Sequence, residues 1–143
     1  MKSVMTVGYQ DRTVDDVVTI LRSVEVKVLV DVRLTPLSRR AGLSKNRLAA
    51  RLHDAGIDYV HLPQLGNPRD NRDGFRRHEK AAVARYREEL RTPEGQAALG
   101  ELFQLATQIR VALMCFEADA AECHRSMVAD ALGEIGPVRT IHL

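Results

Sequence analysis

The sequence contains no tryptophan, and aromatic residues make up only 4% of its 143 positions. Its core must therefore be aliphatic. No apolar run reaches the roughly 18 residues that a membrane-spanning helix needs, and the first residues lack the apolar segment of a signal peptide. Because there are only two cysteines, we expect a cytoplasmic protein with reduced thiols and no membrane partner. The length fits one domain, residues 1–143, whose fold needs neither a disulfide nor a metal.

Acidic residues are missing from one long stretch of the chain. Residues 33–51 carry six basic side chains and no acid, and residues 69–91 carry eight basic and five acidic ones. The formal net charge is only +2, so the remainder of the chain is acidic overall. Such segregation favours an anionic partner, a small molecule or a nucleic acid. A solvated, arginine-rich surface is the alternative.

Apolar segments alternate with helical patterns along the chain. Aliphatic runs at 4–8, 26–32, 57–62, 111–116 and 138–143 predict strands, and helices are predicted to begin after Thr13, Ser44 and Thr92. Residues 63–74 are predicted to form a polar loop. This alternation predicts a single three-layer α/β domain, with a mainly parallel sheet of about five strands and helices on both faces.

Side chains capable of acid, base or nucleophilic chemistry follow several of these strands. Asp31 and Arg33 end the second strand, His61 ends the third, and Glu117 follows the fourth. The carboxyl ends of parallel strands meet at one edge of a sheet, so we expect these residues to converge there. An Asp31–Arg33 ion pair and a structural His61 are alternatives. The candidate catalytic residues are Asp31, His61, Glu117 and Cys123.

The basic side chains near these strand ends predict an anion site. Arg33 followed by Ser38 and Arg39 resembles a phosphate-binding loop, because guanidinium groups grip phosphate oxygens in pairs and a hydroxyl adds a donor. Arg125 opens a predicted helix whose first amides are unpaired, and we expect it to bind the anion. A salt bridge between Arg125 and Glu117 is the alternative. Further ligand contacts are expected from Tyr9, Asn67 and His124.

The densest cluster of reactive side chains comprises Cys115, Glu117, Cys123 and His124. All four are suitable zinc ligands, two thiols in one loop can form a disulfide, and Cys123 at a helix start can be a nucleophile. An inert, buried Cys115 is a further alternative. The cysteines are eight residues apart, whereas zinc knuckles space them by about two to four. We therefore expect free thiols, no bound metal and no other cofactor.

An ordered series of short motifs runs through nearly the whole chain. It comprises Thr6-Val-Gly-Tyr9, Val30-Asp-Val-Arg33, Pro36-Leu-Ser-Arg39, Tyr59-Val-His61, Leu65-Gly-Asn-Pro68, Cys115-Phe-Glu117 and Cys123-His-Arg125. In these motifs the chain resembles the family of domain of unknown function 488 (DUF 488). The resemblance implies a fold and a site, and it implies no reaction because the family has no settled activity.

A second, weaker resemblance, to rhodanese and the related protein phosphatases, rests on the order of the residues. Asp31-Val-Arg33 ends a strand, and Cys115 follows a later strand before Arg125 opens a helix. This order implies a rhodanese-like topology with thiol or sulfur-transfer chemistry. The spacing departs from that of the phosphatases, because Arg125 is ten residues from Cys115 and two from Cys123.

These features together predict a protein that binds a phosphate-bearing ligand, a nucleotide or nucleic acid, at the carboxyl rim of the sheet. An enzyme is slightly favoured, with hydrolysis or group transfer as its chemistry. One alternative is a nucleotide- or nucleic-acid-binding module without catalysis, whose affinity would depend on salt. The other is a thiol redox or sulfur-transfer protein.

Overall fold

Five parallel strands form one sheet in a computed structural model that describes residues 2–143. The strands are β1 (Lys2–Gly8), β2 (Val28–Asp31), β3 (Asp58–His61), β4 (Val111–Cys115) and β5 (Val138–His142). Their order across the sheet is β3-β2-β4-β1-β5, and every neighbouring pair is parallel. The predicted α/β fold class is confirmed.

Within the described residues, six α-helices connect the strands. They are α1 (Val14–Ser23), α2 (Lys45–Asp54), α3 (Arg72–Arg76), α4 (Lys80–Arg91), α5 (Pro93–Gln108) and α6 (Arg125–Ile135). Short 3-10 turns occur at Pro63–Leu65, Arg69–Asn71 and Ala120–Glu122. The loop predicted at 63–74 therefore holds two of these turns and the start of α3. No helix in residues 2–143 is both long and apolar enough to cross a membrane.

Helices cover both faces of the sheet. On one face α1 and α2 pack through an aliphatic cluster that includes Leu48 and Met114. On the other face α4, α5 and α6 pack through a cluster that includes Leu113 and Leu132. Leu113 and Met114 are successive residues of β4, and they face opposite layers as strand alternation requires. The helices that follow β1 and β2 pack on one face of the sheet, whereas the helix that follows β4 packs on the other face. Because these connections run in opposite directions, a crevice opens at the carboxyl end of β4.

Two predicted capping residues make the expected hydrogen bonds, and a third has another role. The Thr13 hydroxyl accepts from the Asp16 amide at 3.0 Å, and Asp16 Oδ2 accepts from the Thr13 amide at 2.8 Å, which closes a capping box. Thr92 also caps its helix. The Ser44 hydroxyl instead accepts from the amide of Ser38 at 2.9 Å and donates to its carbonyl at 3.1 Å. Ser44 therefore joins the loop around Ser38 to the start of α2.

Candidate functional site

A pocket of about 280 Å³ lies between the segments that follow β1, β2 and β4. Its lining contains six of the residues that the sequence predicts for the site: Tyr9, Arg33, Ser38, Asn67, Glu117 and His124. Arg39 borders an adjoining groove. Four other predicted residues lie near the same rim without lining the pocket: Asp31, His61, Cys123 and Arg125.

Asp31 and Arg33 form a buried ion pair, in which Arg33 lines the pocket and Asp31 lies behind it. Arg33 Nη2 donates to Asp31 Oδ2 at 2.8 Å and Nε to Oδ1 at 2.9 Å, while Nη1 donates to the Leu43 carbonyl at 2.8 Å. Burial disfavours the charged form of Arg33, but the hydrogen bonds and the ion pair with Asp31 outweigh the effect of burial. The pKa of Arg33 is therefore raised. Every nitrogen of this guanidinium has a protein partner. The structure therefore corrects the prediction of Arg33 as an anion ligand and supports the ion-pair alternative.

The second partner of Asp31 is a tyrosine on the neighbouring strand. Tyr59 OH donates to Asp31 Oδ2 at 2.5 Å, and burial together with this bond raises the pKa of Tyr59. Asp31 is fully buried. Its carboxylate is thus enclosed by protein donors and does not reach the pocket, so its predicted catalytic role is corrected to a structural one.

His61 also has a structural position. It ends β3, and its Nε2 lies 2.7 Å from the backbone carbonyl of Arg33. As the donor to that carbonyl, the ring joins the end of β3 to the segment that follows β2. The structure favours the alternative of a structural imidazole over a catalytic base.

Arg125 begins α6, as predicted, but its side chain is completely buried. Nη1 donates to the Glu117 carbonyl and lies 3.2 Å from Cys115 Sγ, and Nη2 donates to the Ala118 carbonyl at 3.2 Å. Burial lowers its pKa to about 10, and Nε has no partner among the described residues. The expected direct contact between Arg125 and an anion is corrected, because this guanidinium holds the loop after β4 from inside.

Glu117 is one of two acidic residues in the pocket wall, the other being Glu122. It is 8% exposed, and its Oε1 accepts from Arg76 Nε at 2.9 Å. Its Oε2 lies 3.6 Å from Cys115 Sγ. The alternative of a side-chain salt bridge with Arg125 is not found: the carboxylate pairs with Arg76, and Arg125 bonds to the backbone carbonyl of Glu117.

Cys115 and Cys123 form a disulfide in this structure, so the expectation of free thiols is wrong here. The adjacent His124 is buried, and its Nε2 lies 2.7 Å from the Val32 carbonyl, to which it donates. Burial lowers the pKa of His124, so the ring is neutral near pH 7. With the proton on Nε2, Nδ1 is an acceptor, and it lies 3.7 Å from Cys123 Sγ.

An arginine-lined groove of about 410 Å³ adjoins the pocket. We call it the arginine groove; its polar lining is Thr35, Ser38, Arg39, Ser44, Arg69 and Arg72. No carboxylate lines it, and none of its three arginines has a salt-bridge partner among residues 2–143. Arg69 and Arg72 are not predicted individually from the sequence, although the basic excess of 69–91 is a signal for them.

Asn67 and Tyr9 complete the polar wall of the pocket. Asn67 Oδ1 accepts from Asn71 Nδ2 at 2.9 Å, which fixes the amide so that its own Nδ2 is left to donate elsewhere. Tyr9 OH accepts from Arg33 Nη1 at 3.3 Å, and the Tyr9 ring packs edge-on against Phe116. Both residues line the pocket, and Tyr9 also packs in the core.

The model of the family described as Domain of unknown function DUF488 matches residues 13–132, which is most of the chain. The chain belongs to this family. Comparison with curated proteins and with solved structures finds no match. The matched span holds the arginine groove and every predicted site residue except Tyr9. The description of the family names neither a substrate nor a reaction.

Proposed function

We propose that the protein binds a phosphate-bearing ligand, a nucleotide or a phosphate of a nucleic acid, at the carboxyl rim of its sheet. The observation that carries this proposal is the arginine groove. Three guanidinium groups without acidic partners and three hydroxyls, those of Thr35, Ser38 and Ser44, surround one space. Guanidinium forks match the geometry of phosphate oxygens and bind them in pairs.

The neighbouring pocket supplies room for the rest of such a ligand. The arginine groove and the pocket share Thr35, Ser38 and Arg72, so a phosphate in the groove would place its substituent in the pocket. Tyr9 and Phe75 offer aromatic surface there, and Asn67 offers an amide donor. This arrangement suits a compact organic phosphate whose phosphate group lies in the arginine groove and whose organic part lies in the pocket.

Hydrolysis or group transfer is the chemistry that this site supports. Glu117 is the one carboxylate among the predicted catalytic residues that lines the pocket, and the Arg76 guanidinium holds its orientation. It is therefore the residue best placed to accept a proton from an attacking water or hydroxyl. The groove arginines would stabilise the negative charge that develops on the transferred phosphate.

The disulfide favours a second candidate function, thiol redox or sulfur transfer. Cys115 lines the pocket, and the Arg125 guanidinium beside its sulfur would stabilise a thiolate. In thiol–disulfide exchange a substrate dithiol would reduce the Cys115–Cys123 bond and become a disulfide itself. This function needs no phosphate and would leave the arginine groove unexplained.

Calorimetric titration with inorganic pyrophosphate at low ionic strength tests the first proposal. We expect Arg69→Gln and Arg72→Gln each to weaken binding roughly 10- to 100-fold, the effect of losing a charge-assisted contact. Arg139→Gln is the matched control, because Arg139 is exposed near the amino end of the sheet, on β5. Equal affinity of all four proteins, or no binding by the wild type, would overturn the proposal.

A turnover assay separates enzyme from binding module. Phosphate release from a panel of nucleoside triphosphates and phosphomonoesters should stop in Glu117→Gln while pyrophosphate affinity is retained. Binding without turnover in the wild type would favour the non-catalytic module.

A further inference from the structure

The structure places three soft metal-ligating atoms within one small volume. Cys115 Sγ, Cys123 Sγ and a ring nitrogen of His124 all lie within 4.8 Å of one another, and Nδ1 is the ring nitrogen 3.7 Å from Cys123 Sγ. Two of these residues, Cys115 and His124, line the pocket described above. We infer that the reduced protein binds one divalent transition metal of the zinc class through Cys115, Cys123 and His124, with its open coordination position facing the pocket.

The histidine is prepared for this role by its second nitrogen. Metal-bound histidines usually donate their other ring N–H to a carbonyl or carboxylate, which fixes the tautomer. His124 Nε2 donates to the Val32 carbonyl at 2.7 Å, so Nδ1 carries a free lone pair, and it lies 3.7 Å from Cys123 Sγ.

The two cysteines are suited to become thiolates once the disulfide is reduced. Arg125 Nη1 lies 3.2 Å from Cys115 Sγ, and the Arg125 amide at the start of α6 lies 3.5 Å from Cys123 Sγ. A cation and a helix-terminal amide both stabilise a nearby thiolate. The Cα atoms are 7.1 Å apart, which leaves room for two sulfurs at the separation of about 3.8 Å that tetrahedral zinc imposes.

The ligand set selects the class of metal. Two thiolates and one imidazole favour zinc-class ions over magnesium or calcium, which prefer oxygen. Three protein ligands leave a tetrahedral zinc with one further position. Cys115 and His124 both border the pocket, and Glu117 Oε2 lies 3.6 Å from Cys115 Sγ. The fourth position would therefore be reached from the pocket, beside that carboxylate.

This inference does not rest on the proposed phosphate binding, because it uses none of the groove arginines. It replaces the sequence-based expectation of no metal, which relied on the spacing of the cysteines along the chain. Their separation of eight residues is unlike a zinc knuckle, but β4 and the loop after it fold back so that the sulfurs meet.

The test uses protein reduced with a thiol-free phosphine and titrated with Zn²⁺ and Co²⁺ under anaerobic conditions. We expect one ion per chain, a thiolate-to-cobalt charge-transfer band, and a rise in the melting temperature of the reduced protein with zinc. His124→Gln should weaken binding at least about 10-fold, since even partners of metal ligands contribute 10- to 100-fold. Cys115→Ser and Cys123→Ser should each remove most of the charge-transfer band.

His53→Gln is the control, because His53 is exposed at the end of α2. Arg69→Gln should also bind zinc normally, because Arg69 lines the arginine groove and not the pocket, and this result would separate the two sites. If a cysteine variant fails to fold, His124→Gln and the cobalt spectrum of the wild type still decide the question. Absence of the charge-transfer band, or zinc affinity unchanged in His124→Gln, would overturn the inference. Absence of metal uptake by the reduced protein, with the disulfide forming again once the phosphine is removed and air is admitted, would overturn it in favour of thiol redox chemistry.

Discussion

At the scale of single residues, the start of α6 shows how adjacent buried polar side chains support different parts of the pocket. His124 donates to the Val32 carbonyl of the segment after β2, and Arg125 donates to the Glu117 and Ala118 carbonyls after β4. A buried carbonyl without a donor is costly. These two side chains therefore hold the loops on either side of the crevice in place.

Replacing Arg125 should destabilise the fold strongly. Arg125→Ala leaves two carbonyls unsatisfied and creates a cavity, and we expect a loss of about 3 kcal/mol or more in the free energy of unfolding. Urea unfolding monitored by circular dichroism measures this loss. Arg139→Ala, at an exposed position, is the control and should leave the midpoint nearly unchanged. A stable Arg125→Ala protein that has lost only ligand binding would instead indicate that Arg125 contacts the anion directly.

The buried His124 should make stability depend on pH. Burial lowers its pKa in the folded state, so below about pH 6.5 the unfolded chain binds a proton that the folded chain resists. The stabilising contribution is therefore present above that pH and decreases as the pH falls. We expect the urea midpoint of the wild type to decline on acidification more steeply than that of His124→Gln, whereas His53→Gln should keep the wild-type slope. Parallel profiles for all three proteins would contradict this account.

At the scale of elements, the end of β1 and the loop after β4 pack backbone against backbone. A Cβ added at Gly8 would collide with the Glu117 carbonyl. The same carbonyl accepts from Arg125, so the position of Glu117 in the pocket depends on the small size of Gly8. Any displacement of the loop after β4 would therefore also move Glu117 in the pocket wall.

Two glycine-to-alanine substitutions should therefore have opposite effects. Gly8→Ala should lower stability and displace Glu117, because the new methyl group overlaps backbone atoms. Gly100→Ala, in the middle of α5 with open space around its Cβ, should raise stability by roughly 0.5–1 kcal/mol. Thermal unfolding of the two variants measures the difference. A Gly8→Ala protein as stable as the wild type would show that this contact is not required.

The sequence predicts the elements better than it predicts the site, for a physical reason. Buried parallel strands are continuous aliphatic runs, so β2 and β4 can be recognised from the sequence alone. Which strand-end side chain faces the pocket depends instead on the strand pleat and on the course of the loops. Asp31 and Arg125 lie at the expected edge yet point inward, and no local pattern distinguishes them from Glu117.

At the scale of the whole molecule, the uneven charge of the chain becomes one surface feature. The acid-free stretch 33–51 supplies Arg39 to the lining of the arginine groove, and the second basic segment supplies Arg69 and Arg72. The net charge of +2 therefore understates the positive potential at this rim. The segregation of charge along the sequence predicts an anionic partner, but only the fold brings the two basic segments together.

The most direct test of the phosphate-binding proposal is a titration of isotopically labelled protein with inorganic pyrophosphate, followed by amide NMR shifts. The account predicts that the largest shifts fall in residues 35–44 and 69–76, that they saturate, and that they weaken as salt is added. They should be absent in a variant carrying both Arg69→Gln and Arg72→Gln. Saturating shifts confined to another part of the chain, or the same shifts in the double variant, would contradict the proposal that this rim is built to hold phosphate.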